Sequence, residues 1–103
     1  MEITPQSVYA DAILTYGVRA QEDKLHEEVG ELLSALNKYI RGRCSEEEVI
    51  TEIADCQIML GQMAFLFDEE KVQDEFERKL IRLRRRIDKY REEHRRKGNG
   101  DLL

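Results

Sequence analysis

LHEEVGELLSALNKYI, residues 25–40, repeats Leu25, Val29, Leu32, Leu36 and Ile40 at helical spacing. The same segment packs Glu27, Glu28 and Glu31 into about one turn, within a sector of roughly 100° beside that apolar stripe. A core-facing helix that gathers three carboxylates needs something to compensate their repulsion and desolvation. The rest of the sequence supplies a counterpart. EIAD, residues 52–55, sets Glu52 and Asp55 three apart on a second apolar helix, between Ile53 and Cys56. Packing the two apolar stripes together draws the two acidic pairs towards each other at the edge of the core.

Around these segments the chain reads as all-α. It has 103 residues, 38% of them charged, one Pro, six Gly and no Trp, a pattern that suits helices and one modest core. Thr4-Pro5 opens a first helix over 5–16, and Gly17 closes it. The second helix runs over 18–41 with Gly30 inside it, at a cost of about 1 kcal/mol relative to Ala. Gly42 ends it, and Ser45 with Glu48 forms a capping box for the third helix, 46–67. That helix carries Val49, Ile53, Cys56, Leu60, Met63 and Phe67 on one stripe and Ile50, Ile58, Met59, Phe65 and Leu66 elsewhere. Apolar residues on more than one face of so small a chain point to an oligomer interface. Asp68 caps a fourth helix, 69–97, striped by Val72, Phe76, Leu80, Leu83, Ile87 and Tyr90. Residues 1–97 read as a single helical domain, and 98–103 as a flexible tail expected to fray.

Charge is unevenly spread. Residues 1–77 hold 18 acids against 6 bases, and residues 78–103 hold 4 against 11, within a net charge of −5. The two cysteines, Cys44 and Cys56, have no metal-type spacing and read as reduced thiols of a cytoplasmic protein, with Cys56 buried. No window of 18 uncharged apolar residues exists, so no transmembrane helix is expected. The start of the chain has neither the basic residues nor the apolar run of a signal peptide.

Four or five carboxylates at close quarters call for a hard divalent cation with oxygen ligands, Mg²⁺ above all when water or phosphate completes the shell. A di-iron centre fits poorly, because neither His26 nor His94 follows a Glu at the Glu-x-x-His spacing. EEVGE at 27–31 followed by EIAD at 52–55 resembles the EExxE…ExxD signature of the MazG-like, all-α nucleoside triphosphate pyrophosphohydrolases. YGVRAQEDKLHEEVGELLSALNKYIRG, EEVITEIADCQIMLGQM and FERKLIRLRRRI extend the resemblance to the small single-domain bacterial and phage members, over about residues 13–90.

The resemblance implies a four-helix MazG-like bundle, assembled as a homodimer or homotetramer. It implies Mg²⁺, with Mn²⁺ as a substitute, held by Glu28, Glu31, Glu52 and Asp55. Glu27 supports this catalytic set beside the attacking water. The implied reaction is hydrolysis of NTPs or dNTPs between the α and β phosphates, giving a monophosphate and pyrophosphate, as nucleotide-pool house-cleaning. No Gly-rich phosphate cradle is present, which agrees with phosphate binding through metal. Gln21 and Lys24 share a helix face with Glu28 and are expected to reach a base or ribose and a phosphate. Lys79 matches a last-helix Lys of the family, and Arg82 and Arg86 continue its basic strip. Leu83 stands where many relatives have Asn. Phosphoribosyl-ATP is the alternative substrate. A non-enzymatic helical adaptor, binding nucleic acid or an acidic partner through the basic last helix, is the alternative of another class. The overall negative charge and the lack of interleaved aromatics weigh against nucleic acid.

Overall fold

Each of the first three helices ends where the sequence supplies a cap. The structure, a computed structural model, describes residues 3–101, with side chains as far as Arg95. Helix α1, Pro5–Tyr16, starts on a reciprocal cap: the Ser7 amide donates to Thr4 Oγ1 at 3.1 Å and the Thr4 amide to Ser7 Oγ at 3.2 Å. Gly17, at φ +89°, turns the chain into α2, Val18–Ile40, using the left-handed region open to glycine. Helix α2 closes on a Schellman motif. Gly42, at φ +70°, donates to the Tyr39 carbonyl at 2.9 Å and Arg43 to that of Lys38 at 2.7 Å. Ser45 then caps α3, Glu46–Phe67, by accepting from the Glu48 amide at 3.2 Å.

Helix α4 spans Glu69–Asp101, so helical backbone continues past the expected end at residue 97, through Gly98 and Gly100. The described residues thus form four α-helices and no strand. The chain divides into two compact units, residues 1–68 with α1 to α3 and residues 69–103 with α4.

Within the first unit α2 and α3 pair along their length, and α1 lies against both. The pairing is antiparallel. Cys44 Sγ donates to the Ala35 carbonyl at 3.2 Å, while Cys56, twelve residues on, donates to that of Glu28, seven residues back. Helix α1 docks through Tyr9, whose ring lies over Gly61: a Cβ there would stand 2.8 Å from Tyr9 Cε2.

The seam between α2 and α3 differs from the expected stripes. On α2 the buried residues are Gln21, Glu28 and Ala35, at strict seven-residue spacing. The expected stripe lies roughly 80° round the helix, with Leu25 and Leu32 half-buried and Val29, Leu36 and Ile40 exposed. On α3 the buried residues are Val49, Cys56, Met59 and Gln62, whereas Ile53, Leu60 and Phe67 are exposed. Periodicity reports that a face is apolar, but not what covers it. The seam takes in Ala35 and Cys56, while the leucine and isoleucine face is only partly covered, with Leu25 and Leu32 half-buried.

Helix α3 is also long and apolar enough to cross a membrane by length and composition, at mean hydropathy 1.3 over 18 residues. This differs from the expectation because that window tolerates the two charges Glu52 and Asp55. Carboxylates inside a span are costly, and the buried face of α3 packs on α2, as a core helix does.

Candidate metal centre

Glu28 sits in the seam itself, 6% exposed. Its position follows from the heptad register Gln21–Glu28–Ala35, which turns it towards α3 rather than to solvent. Across the seam Glu52 lies half-buried, one turn before Cys56. Glu31, one turn on from Glu28, stands at the exposed rim. One carboxylate oxygen from each of the three lies within 4.8 Å of the other two. Oxygens about 2.0–2.6 Å from a shared hard cation stand up to about 4–5 Å apart, so the spread suits one divalent ion.

The hydrogen bonding of the cluster is incomplete. Lys24 Nζ lies 3.1 Å from Glu28 Oε1 and 3.6 Å from Glu27 Oε1. Glu28 Oε2 and Glu52 Oε2 are buried and have no hydrogen-bond partner. A buried acceptor left unpaired costs about 1–3 kcal/mol, and more when charged. The electrostatics agree. The neighbouring Glu28 carboxylate, with burial, Glu52 and Glu27, raises the Glu31 pKa above its ordinary 4.5. Burial, then Glu28, Glu52, Asp55 and Glu31, pushes the Cys56 thiol up. The hydrogen bond to Glu28, with Glu27 behind it, raises Lys24. One lysine thus faces several carboxylates. This donor set, all oxygen and partly unsatisfied, fits Mg²⁺ or Mn²⁺.

Three of the four expected ligands therefore come together. Asp55 is half-buried one turn beyond Glu52 and lies outside the close group, although it contributes to the field at Cys56. Glu27 is exposed and paired with Lys24. Lys24, expected to reach a phosphate, pairs with Glu28 in this structure. Gln21 is buried rather than on the surface. An open groove of about 380 Å³ leads away from Glu31 and Glu52 between α2 and α3, past Ser34, Lys38, Glu48 and Thr51.

On α4, Lys79 and Arg82 are exposed and line a shallow basic groove of about 370 Å³ with Arg78 and Arg85. Arg78 is tied to Glu75 through two hydrogen bonds, at 3.0 and 2.6 Å.

Sequence reasoning missed Gln62, which is 4% exposed with Oε1 buried and unpartnered. Its signal was present: a polar residue seven after Asp55, in step with Val49, Cys56 and Met59 on the face that also carries Glu52. Comparison with family models, with curated proteins and with solved structures finds no match for this chain.

Proposed function

We propose that this chain is a Mg²⁺-dependent nucleoside triphosphate pyrophosphohydrolase of the MazG-like, all-α kind. The observation that carries the reading is a close carboxylate group from two helices, Glu28, Glu31 and Glu52, in which Glu28 Oε2 and Glu52 Oε2 are buried and unpartnered. A helix pair that buries unsatisfied carboxylates in its own seam, and leaves leucines outside, spends stability on a site.

In the reaction, water adds to the α-phosphorus, the α–β bridging bond breaks, and the products are a nucleoside monophosphate and pyrophosphate. Glu28 and Glu52 form the fixed base of the centre, held by helix packing rather than by flexible loops. Glu31 and Asp55 complete the carboxylate set from the same helices. Lys24 orients Glu27 and Glu28 through its ammonium, and Glu27 is the proposed partner of the attacking water. Mg²⁺ bound there supplies charge neutralisation of the triphosphate and an activated water. The groove beyond Glu31 and Glu52 offers Lys38, Ser34 and Thr51 to phosphate oxygens. The resemblance assigns Lys79 and Arg82 to phosphate as well.

The exposed apolar residues on α2 and α3, Ile40 at 80% and Leu60 at 58% among them, support assembly as a homodimer or homotetramer. So broad an uncovered apolar surface on a small chain is that of a subunit. The free cysteines Cys44 and Cys56 suit a cytoplasmic setting.

A screen tests the function: pyrophosphate and orthophosphate release from the common NTPs and dNTPs, modified nucleotides and phosphoribosyl-ATP, with Mg²⁺ and with Mn²⁺. Pyrophosphate release without orthophosphate is expected. Release of neither from every compound overturns the reading.

A further inference from the structure

The carboxylates have a groove on each side along the α2–α3 pair. The second, of about 470 Å³, has Tyr16, Ala20, Gln21, Lys24, Met59 and Gln62 in its walls. Lys24 belongs both to this groove and to the centre, since its ammonium lies 3.1 Å from Glu28. A molecule in the groove therefore lies next to the groups proposed to hold the metal.

Its chemistry is unlike that of the first groove. Two side-chain amides are buried in its walls, Gln62 at 4% and Gln21 at 8% exposure. Gln62 Nε2 meets only the weak acceptor Met59 Sδ, at 3.8 Å, and Gln62 Oε1 has no partner. A buried amide without partners is destabilising where leucine would pack at no such cost. The carbonyl half of the Gln62 amide is left unused within the described residues. An amide presents one donor and one acceptor side by side, which matches a nucleobase edge that carries an acceptor beside a donor. Met59 forms an apolar, polarisable floor that tolerates a flat ring. Tyr16, 68% exposed at the mouth, presents an aromatic face for stacking.

We propose that this groove is the base-recognition pocket of the enzyme, with Gln62 as its specificity-determining residue, Gln21 as the second reading amide and Tyr16 as the stacking ring. The inference rests on the pyrophosphohydrolase reading, and it divides the nucleotide between the two sides of the centre: base towards Gln62, phosphates towards Glu31 and Glu52. Sites built on buried amides discriminate strongly, because the wrong base leaves the amide unpaired.

The test uses the full chain with ¹⁵N-labelled glutamine and ¹³C-methyl methionine. Deoxyadenosine, deoxycytidine, deoxyguanosine and thymidine, which carry no phosphate, are titrated in separately, and the side-chain signals of Gln62, Gln21 and Met59 are followed. At least one nucleoside is expected to shift all three, and Tyr16→Ala, an exposed change that leaves the core intact, to weaken that binding roughly fivefold or more. In parallel, KM and kcat are measured for the four dNTPs with wild type and Gln62→Met. The variant is expected to raise KM for the preferred dNTP about tenfold or more, to compress the ranking of the bases, and to leave the Mg²⁺ midpoint in place. Nucleosides that shift none of the three side chains overturn the pocket, whether or not turnover is seen. A base ranking unchanged in Gln62→Met overturns the role of its amide. Nucleoside-induced shifts without hydrolysis of any triphosphate uphold the pocket and overturn the hydrolase reading instead.

Discussion

The Cys56 thiol on α3 donates a hydrogen bond to the main-chain carbonyl of Glu28 on α2, across 3.4 Å of buried seam. This contact fixes the register in which Glu52 faces Glu28, because Cys56 stands one helical turn after Glu52. The thiol is buried, and burial with the surrounding carboxylates pushes its pKa up. Folded protein at pH 8 is therefore expected to alkylate Cys56 far more slowly than denatured protein, and more slowly than the half-buried Cys44. Peptide mapping after timed iodoacetamide treatment reads both rates. Equal rates at the two cysteines would contradict the seam.

The proposed metal centre predicts a stability that depends on Mg²⁺. Saturating Mg²⁺ at about a hundred times its dissociation constant stabilises a protein by about 2.7 kcal/mol. Wild type is expected to gain Tm on adding Mg²⁺, and Glu28→Gln and Glu52→Gln to gain little. Scanning calorimetry with and without the ion measures the difference.

The pH dependence of the metal-free protein has a definite sign. Glu31 is held above its ordinary 4.5, first by Glu28, then by burial, Glu52 and Glu27, against the opposing Lys24. The folded state therefore binds this proton more tightly than the unfolded state does. From Glu31, stability is largest at low pH and falls as pH rises from 4.5 through the raised value. Glu31→Gln is expected to flatten that slope in denaturant melts taken across the window. Mg²⁺ competes with the same proton, so its affinity is expected to rise over the same range.

Tyr9 and Gly61 hold α1 to α3. Alanine is the better helix former by about 1 kcal/mol, yet its Cβ would overlap the Tyr9 ring. Gly61→Ala is expected to cost about 1–3 kcal/mol through that overlap and to speed amide exchange in α1. Combining it with Tyr9→Ala should cost less than the two single changes summed.

The uncovered apolar face predicts the assembly. Light scattering should report a dimer or tetramer for wild type. Leu33→Glu with Leu60→Glu, both at exposed positions, should shift it towards monomer while the helical circular dichroism persists. A monomeric wild type would leave that face without its proposed partner.

The boundaries of α1 to α3 were legible in the sequence because they rest on local chemistry, whereas α4 runs to Asp101, past its expected end at 97. Thr4-Pro5, Gly17, Gly42 and Ser45 each act within one turn of themselves. Glu28, Glu31 and Glu52 were legible for a related reason, since helical spacing alone puts two of them side by side and a matching motif supplies the third. The seam was legible only in part: Val49 and Cys56 of the expected α3 stripe are buried in it, but its α2 side was not foreseen. On α2, Val29, Leu36 and Ile40 make a better apolar stripe than Gln21, Glu28 and Ala35, and only the packing of α2 on α3 reveals that the weaker stripe is the buried one. Gln62 escaped for the same reason: its importance lies in being buried with its carbonyl oxygen unpartnered, a property of the pair of helices and not of its own.

The most direct test of the central claim is the product released from a turned-over dNTP in the presence of Mg²⁺, for wild type, Glu28→Gln and Glu52→Gln at equal folded concentration. Wild type is expected to give stoichiometric monophosphate and pyrophosphate and no orthophosphate, and each variant to lose about a hundredfold or more, the scale of losing charge stabilisation at a reacting centre. Pyrophosphate release that survives both substitutions, or no release from wild type with any dNTP, would contradict that claim.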